Sequence, residues 1–195
     1  MKRQEADRKE KIDDLALTLD QLARETEGFL QTMEHERISI AESGAILFGI
    51  HPSVRFPEAK SFLSSEPFTS IAYDIIGPDV RLYWDQIVYK QTQKPRRFPW
   101  HQDNGYGFVE PQQYLTCWVP LVDVDQRNGC PWIVPKVHLN GTLAHEYVEP
   151  LGYECFEKHQ EAIPVEAKAG SIVIFSSLTP HMTGVNTTSK TRKAY

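Results

Sequence analysis

A mainly β fold preceded by helices is the fold class that the sequence predicts, on three observations. Apolar residues in the first third recur at steps of three and four, the period of an amphipathic helix. From about Val80 onward, short segments rich in β-branched and aromatic residues alternate with turn signals such as Asn128-Gly129. Almost no helical pattern lies between those segments, which is typical of an antiparallel sandwich or barrel such as a jelly roll. We therefore expect a single domain over residues 1–195, mostly helical over 1–78 and a jelly-roll core over 79–195.

The first predicted helix carries an apolar stripe along one face. The stripe consists of Ile12, Leu15, Leu19, Leu22, Thr26, Phe29 and Met33. A stripe of this kind also suits a coiled coil, but about three heptads interrupted by Gly28 are marginal for one. We therefore expect the helix to pack against its own domain, and dimerisation stays open. Residues 56–78 predict one or two further helical segments, which Gly77-Pro78 would end.

Short strands are predicted along the rest of the chain. The segments are VRLYWDQIVYK (80–90), YLTCWVPLVDV (114–124), CPWIVPKV (130–137), AIPVEAK (162–168), SIVIFSS (171–177) and HMTGVN (181–186). The sequence stops at Tyr195, so we expect the last strand to be truncated to a few residues. A neighbouring strand would then lose part of its pairing.

Composition excludes several classes of function. The net charge of −5 gives no reason to expect nucleic acid or an anionic membrane as a partner. No run approaches the roughly 18 apolar residues of a membrane span, and the amino terminus lacks the apolar centre of a secretory signal. Cys117, Cys130 and Cys155 are widely spaced without a CxxC pair, which indicates neither a disulfide framework nor a thiolate zinc site. We expect a cytoplasmic protein, monomeric or homodimeric.

The segment FPWHQDNGYGF (98–108) contains the first two candidate metal ligands, His101 and Asp103. On a strand, residues i and i+2 point to the same face, so an imidazole and a carboxylate would lie side by side. His181 follows the apolar strand SIVIF and precedes a glycine turn, which suits a third ligand at the rim of a barrel. Two histidines and one carboxylate leave coordination positions open, as Fe(II) requires when a chelating co-substrate and O₂ bind together. Zinc is an alternative, but its catalytic sites usually add a water-activating base that we do not find here.

Arg192 and Thr183 form a candidate carboxylate clamp. Arg192 lies eleven residues after His181, and a hairpin through VNTTSKT would return it beside the histidine strand. A guanidinium group there can hold a carboxylate in bidentate geometry. Thr183 stands at i+2 from His181 and would present its hydroxyl on the same strand face.

Four segments resemble the phytanoyl-CoA dioxygenase family of Fe(II)- and 2-oxoglutarate-dependent oxygenases. They are WHQDNGYGF, LTCWVPLVDVDQRNGCPWIVPKVH, AGSIVIFSSLTPHMTGVN and TRKAY, in this order. The resemblance implies a double-stranded β-helix (jelly-roll, cupin-like) core and His101, Asp103 and His181 as the iron triad. It also implies that Arg192 and Thr183 bind the distal carboxylate of 2-oxoglutarate. Gln86 and Trp118 match positions that line the co-substrate pocket of the family.

The activity that the resemblance implies is hydroxylation of an unactivated C–H bond of a small-molecule or lipid-like substrate, in which O₂ and 2-oxoglutarate are consumed and succinate and CO₂ are released. Relatives that halogenate lack this carboxylate, so the presence of Asp103 favours hydroxylation over halogenation, although desaturation or ring closure would use the same ligands. Asn104, Tyr106 and Trp132 are candidate substrate contacts at the mouth of the barrel. The basic residues of KPRRFPW could attract an anionic substrate group, although such a run is more often solvated surface.

Two other functions stay open at the level of sequence. The first is a non-catalytic jelly-roll protein that binds a metal or ligand without turnover, with a degenerate or truncated 2-oxoglutarate site. The second is a cupin-like zinc or manganese enzyme that uses no 2-oxoglutarate. Arg192 argues against this second alternative, because such chemistry has no use for a carboxylate clamp.

Overall fold

The computed structural model of the protein describes residues 2–107, 109–112 and 114–195. Its helices are α1 (Lys2–Leu30), α2 (Pro52–Arg55), α3 (Pro57–Leu63) and α4 (Phe68–Ile75). Its strands are β1 (Arg37–Ile38), β2 (Ala41–Glu42), β3 (Ile46–Ile50), β4 (Gln86–Lys90), β5 (Phe98–His101), β6 (Leu115–Trp118), β7 (Pro131–Ile133), β8 (Glu146–Val148), β9 (Gly152–Glu154), β10 (Ile163–Pro164), β11 (Val173–Ser176), β12 (His181–Thr183) and β13 (Arg192–Ala194).

Antiparallel sheets make up most of the fold, as the sequence predicts. A five-stranded sheet has the order β1-β2-β3-β4-β13, and a four-stranded sheet has the order β10-β7-β12-β5. β11 pairs with β6, and β8 pairs with β9, as two-stranded sheets. The two larger sheets face each other, because the Lys90 side chain of β4 reaches the backbone carbonyl of Thr183, next to the end of β12. The site described below lies between them.

Helix α1 covers the outer face of the five-stranded sheet. Ile12, Leu15 and Leu19 are buried in one cluster with the sheet residues Ile87 and Tyr89, which confirms that the helix packs on its own domain. Burial of each such leucine or isoleucine contributes about 1.5–3 kcal/mol. None of the helices in the described part of the chain has both the length and the apolar character that crossing a membrane requires.

The apolar stripe predicted for the first helix is wrong at its carboxyl-terminal end. Phe29 is 56% exposed and Met33 is exposed as well, whereas Ala23 and Leu30 are buried. The predicted stripe averages 3.5 residues per turn, but a straight helix has 3.6, so the stripe drifts by about 20° per heptad relative to the sheet. Over three heptads, or about six turns, the drift reaches about 60°, so the buried face has moved on to other residues. Met33 lies beyond the end of α1.

The first third of the chain is less helical than predicted, because it also supplies three strands. β3 pairs with β4 over its whole length, from Ile46 opposite Lys90 to Ile50 opposite Gln86. A Cβ at Gly49 would lie 2.7 Å from the Leu22 side chain, so this glycine lets α1 approach the strand closely. The helices predicted over residues 56–78 are confirmed as α3 and α4.

The predicted strands are present but shorter than the apolar segments that predict them. Within VRLYWDQIVYK only Gln86–Lys90 is a strand, and residues 80–85 have no regular structure. The hairpin of β8 and β9 has no counterpart in the prediction, since EYVEPLGYE lacks a clear alternation of apolar and polar residues.

The final strand, Arg192–Ala194, is short as expected, but the predicted loss of pairing is wrong. β13 pairs with β4 on one side. On its other side, Tyr195 exchanges two backbone hydrogen bonds with Val119, at 2.7 and 2.8 Å, and the Leu121 amide donates to the Lys193 carbonyl. The phenol of Tyr195 also donates to Asp85 at 2.9 Å. The segment after β6 therefore covers the edge that the sequence left open.

Candidate metal centre

Two histidines face each other on neighbouring strands of the four-stranded sheet. His101 of β5 and His181 of β12 are directly paired in register, and their ring centroids are 4.1 Å apart. The Nδ1 atom of His101 contacts the carbonyl of Pro99 at 2.9 Å, and Nδ1 of His181 contacts the carbonyl of Thr179 at 3.0 Å. Since a carbonyl only accepts, both Nδ1 atoms carry the proton, and both Nε2 atoms keep a free lone pair for a metal.

Asp103 provides the third converging ligand atom. Its Oδ1 lies 3.7 Å from Nε2 of His101 and 3.6 Å from Nε2 of His181. The strand geometry predicted for this residue is wrong, because β5 ends at His101 and Asp103 begins a single 3-10 turn that ends at Gly105. The carboxylate reaches the histidines through this tight turn rather than through the two-residue alternation of a strand.

Thr116, which is not among the predicted site residues, orients that carboxylate. Its hydroxyl donates to Oδ2 of Asp103 at 2.7 Å, so Oδ1 alone is left to face the two histidines. Thr116 and Trp118 share one face of β6 by the alternation of a strand. A threonine two residues before the candidate pocket residue Trp118 is the pattern that could have identified it.

The donor set suits a divalent transition metal. Within the described residues, His101, Asp103 and His181 are the group of side chains whose ligand atoms converge, all within 4.8 Å of one another. Burial, together with the neighbouring His181, holds the pKa of His101 well below its usual range. This imidazole therefore stays neutral at physiological pH, the state in which it can bind a metal. Two nitrogens and one carboxylate leave further coordination positions open.

A scaffold of buried hydrogen bonds supports residues 102–105, here called the metal loop, and the sequence did not predict it. Gln102, fully buried between the two ligands, donates to the carbonyls of Gly141 and Leu178 and accepts from the amide of Leu143. Nε2 of His145 accepts from the Gln102 amide at 3.0 Å. Burial lowers the pKa of His145, which keeps this acceptor available. The contacts join segments 39 to 76 residues apart, so no local pattern could reveal them.

The buried side chains of Arg192 and Thr183 leave three polar atoms without a partner. Arg192 is fully buried, and its Nη1 donates to the Val88 carbonyl at 3.0 Å, while Nε and Nη2 have no partner. The hydroxyl of Thr183 is likewise buried without a partner. The Arg192 guanidinium lies over the Trp118 ring, 5.7 Å from its centroid. Burial lowers the pKa of Arg192 to about 10, so the group remains charged and available to an anion.

The route by which Arg192 reaches this position differs from the predicted hairpin. β13 pairs with β4 in the five-stranded sheet, whereas β12 belongs to the four-stranded sheet. The connection is held by Asn186, whose side-chain amide donates to the carbonyls of Lys90 and Lys190. Arg192 therefore approaches the interior from the sheet that faces His181, not from the adjacent strand.

The remaining predicted site residues divide into two groups. The Tyr106 ring lies 5.3 Å from that of His101, and Asn104 is buried with its amide nitrogen bound to Thr142. By contrast, Trp132 is paired with Met182, on the sheet face opposite His181, so the structure does not bring it to the metal cluster. Gln86 lies at the opposite end of β4 from Lys90, and its side-chain oxygen accepts a hydrogen bond from the indole N–H of Trp84.

Comparison with known proteins gives consistent matches. A model of the phytanoyl-CoA dioxygenase family matches residues 8–194. A phytanoyl-CoA dioxygenase from Arabidopsis thaliana is 26% identical over 166 residues, which cover 82% of this chain and 56% of that protein. A methylphosphonate hydroxylase from Gimesia maris is 26% identical over 143 residues, which cover 69% of this chain and 50% of that protein. The chain thus spans about half the length of these relatives.

A solved structure resembles the fold. EvdO2 from Micromonospora carbonacea var. aurantiaca, crystallised with 2-oxoglutarate, superposes with a TM-score of 0.64 at 23% identity and covers 77% of this chain and 64% of that one. The similarity supports the same arrangement of the backbone.

Proposed function

The chain belongs to the phytanoyl-CoA dioxygenase family, and on that premise we propose that it is an Fe(II)- and 2-oxoglutarate-dependent dioxygenase with a double-stranded β-helix core. The observation that carries the proposal is the pairing of two features between the same two sheets. One is a cluster of two imidazoles and a carboxylate, and the other is a buried guanidinium with two unpartnered nitrogens. A metal-binding protein without a carboxylate co-substrate would have no reason to bury that charge unpaired.

The residues present fit both groups. His101, His181 and Asp103 would hold the iron through Nε2, Nε2 and Oδ1, since those atoms converge and no other described group saturates them. Arg192 and Thr183 would bind the distal carboxylate of 2-oxoglutarate through their unpartnered buried donors. When bound, iron with 2-oxoglutarate and O₂ supplies the oxidation that hydroxylates an unactivated C–H bond and releases succinate and CO₂.

The protein's own part in this reaction is positioning and exclusion of water. The carbonyls of Pro99 and Thr179 fix the histidine tautomers, and Thr116 fixes the carboxylate. The apolar ring of Trp118 packs against the Arg192 guanidinium. Because the dielectric constant beside such a ring is low, the attraction between that cation and a carboxylate is stronger than in water. Each group is thus oriented before the co-substrate arrives, which reduces the entropy cost of binding.

The substrate we propose is a small molecule or lipid-like molecule with an apolar or aromatic surface. Phe98 and Tyr106 pack at 4.7 and 5.3 Å from the His101 ring, and Tyr106 in turn contacts Tyr153. An open cavity of about 370 Å³ is lined by Tyr106, Tyr153 and Asn104 but by none of the three metal ligands, and Tyr106 connects it to the His101 ring. Aromatic side chains with a few polar groups are typical of small-molecule sites.

The basic segment before the metal motif does not favour an anionic substrate. Arg97 pairs with Glu154 at 2.6 Å, and Arg96 pairs with Glu42. Lys94 lies 3.5 Å from the same Glu42. Because these cations already have carboxylate partners, a phosphonate of the kind named for the Gimesia maris relative would have to displace one of them. We therefore propose that the part of the substrate that contacts the protein near this segment is uncharged.

Turnover of 2-oxoglutarate tests the proposal. With Fe(II), O₂ and 2-oxoglutarate, we expect slow release of succinate even without substrate, because the co-substrate pocket is complete. His181→Ala should abolish it, whereas His35→Ala should leave it unchanged, since His35 is an exposed histidine remote from the cluster. Iron binding without any succinate would instead support a non-catalytic jelly-roll protein. Turnover of another substrate with zinc or manganese, independent of 2-oxoglutarate, would support the cupin-like alternative.

A further inference from the structure

Lys90 is a second buried cation beside Arg192. The two residues are direct partners in the β4–β13 pair, so their side chains project from the same face of the sheet. Lys90 is 1% exposed and Arg192 is fully buried, which makes them the two largest side chains buried to this degree. Burying one charge is already costly, and burying two like charges next to each other is more so unless an anion joins them.

The ammonium group of Lys90 is bound to backbone carbonyls and to no carboxylate. Nζ donates to the carbonyls of Arg96 at 2.9 Å and Thr183 at 3.0 Å, and to that of Gly184. Three acceptors match the three hydrogens of an ammonium group, which a neutral amine does not have. Burial and the adjacent Arg192 lower the pKa of Lys90, which is the electrostatic cost of placing an ammonium group against these three acceptors.

The surrounding backbone is shaped to allow these contacts. A Cβ at Gly129, whose φ is +85°, would lie 2.5 Å from the Gly184 carbonyl oxygen and 3.2 Å from the Lys90 side chain. Only glycine at this turn lets the chain approach so closely. Thr183 and Gly184 are thus held between Lys90 and the turn at Gly129, and Thr183 carries the unpartnered hydroxyl of the clamp.

We propose that Lys90 is a positioning residue for the distal carboxylate of 2-oxoglutarate. Its hydrogen bonds fix the backbone that presents the Thr183 hydroxyl, and its charge adds to that of Arg192 without contacting the anion itself. This inference rests on the function proposed above. It assigns the pocket a net positive charge of two, which the carboxylate partly neutralises when it binds.

Anaerobic binding measurements on the full chain test the role of Lys90. In Lys90→Met, the Kd for 2-oxoglutarate with bound Fe(II) should rise by about tenfold or more, the size typical of losing a residue that orients a binding group. The Kd for 2-oxobutyrate, which chelates through the same 2-oxo acid group but lacks the distal carboxylate, should stay unchanged, as should the Kd for Fe(II). Lys193→Met is the matched control, because Lys193 lies on the neighbouring strand β13, on the opposite face of the sheet from Lys90, and pairs with Asp20.

Lys90→Gln and Lys90→Arg keep the test decisive if the methionine variant does not fold. Both side chains retain donors for the carbonyls, but only arginine retains the charge. Lys90→Gln should therefore weaken the binding of 2-oxoglutarate, whereas Lys90→Arg should largely restore it. Equal weakening of both 2-oxo acids would overturn the inference and indicate a purely structural lysine, and so would unchanged binding of 2-oxoglutarate. A wild-type protein that binds Fe(II) but neither 2-oxo acid would refute the proposed function instead.

Discussion

Replacing Gly105 by alanine should disturb the metal centre through a residue that binds no metal. An ideal Cβ at this position lies 2.4 Å from Cε1 and Nε2 of His145, a distance that atoms do not tolerate. Gly105 ends the turn that begins with Asp103, and the His145 ring packs directly against it. The added methyl group must therefore push the imidazole away from the backbone N–H of Gln102. In the structure, Nε2 of His145 accepts a hydrogen bond from this N–H at 3.0 Å.

The magnitude follows from two effects. Forcing a methyl group into a packed site costs about 1–3 kcal/mol. Leaving the buried Gln102 amide without its acceptor costs about 1–3 kcal/mol more if no other acceptor takes its place. With partial relaxation we expect a loss of roughly 2–4 kcal/mol, which at about 2–4 °C per kcal/mol for a chain of this size lowers Tm by roughly 5–15 °C. Fe(II) affinity should fall by about 10–100-fold, as when other supports of metal ligands are removed.

Gly107→Ala is the matched control, because it adds the same methyl group two residues later in the same loop with nothing within 4 Å. Thermal unfolding and Fe(II) titration should separate the two variants clearly. In a His145→Ala background the added cost of Gly105→Ala should largely vanish, because the ring that causes the clash is gone. If Gly105→Ala matched Gly107→Ala in both measurements, the support of the metal loop by His145 would be refuted.

Three further predictions follow from single buried groups. Gln102→Leu removes two donors and one acceptor from a fully buried side chain; we expect a loss of roughly 2–5 kcal/mol in urea unfolding, and a loss below 1 kcal/mol would contradict the scaffold. Tyr195→Phe removes a hydrogen bond to the buried Asp85 carboxylate; we expect about 1–2 kcal/mol and a Tm lower by a few degrees, and unchanged calorimetry would show that this contact does not anchor the last strand. Burial raises the pKa of Cys130 to about 11, so the native thiol should be almost wholly protonated at pH 8 and its alkylation should accelerate with rising pH; mass spectrometry showing native and urea-unfolded chains labelled equally fast at pH 8 would contradict its burial.

The sequence was sufficient to predict the residues whose chemistry is local. His101 and Asp103 are two positions apart, and Thr183 follows His181 on one strand, so alternation and donor type indicate what they can do together. The structure brings these residues and Arg192 into one interior. Even here the local geometry differed, because a tight turn carries Asp103 where a strand was expected.

The supporting residues could not be predicted, because their roles depend on contacts between distant parts of the chain. No local pattern marks Lys90 as buried, and its partner Thr183 is 93 residues away. Gln102 likewise binds the carbonyl of Leu178, 76 residues later. Which sheet a short strand joins is decided by packing rather than by its own pattern, and for this reason the partner of β13 was mispredicted.

Anaerobic titration of the wild-type chain with Fe(II), followed by 2-oxoglutarate, tests the central claim most directly. The account predicts stoichiometric iron and a visible charge-transfer band that develops as 2-oxoglutarate chelates the metal. Arg192→Ala should require much more 2-oxoglutarate for the same band, and His181→Ala should show none. Tight iron binding with no band at saturating 2-oxoglutarate would contradict the account, because the cluster would then hold a metal without the co-substrate that its buried cations are arranged to receive.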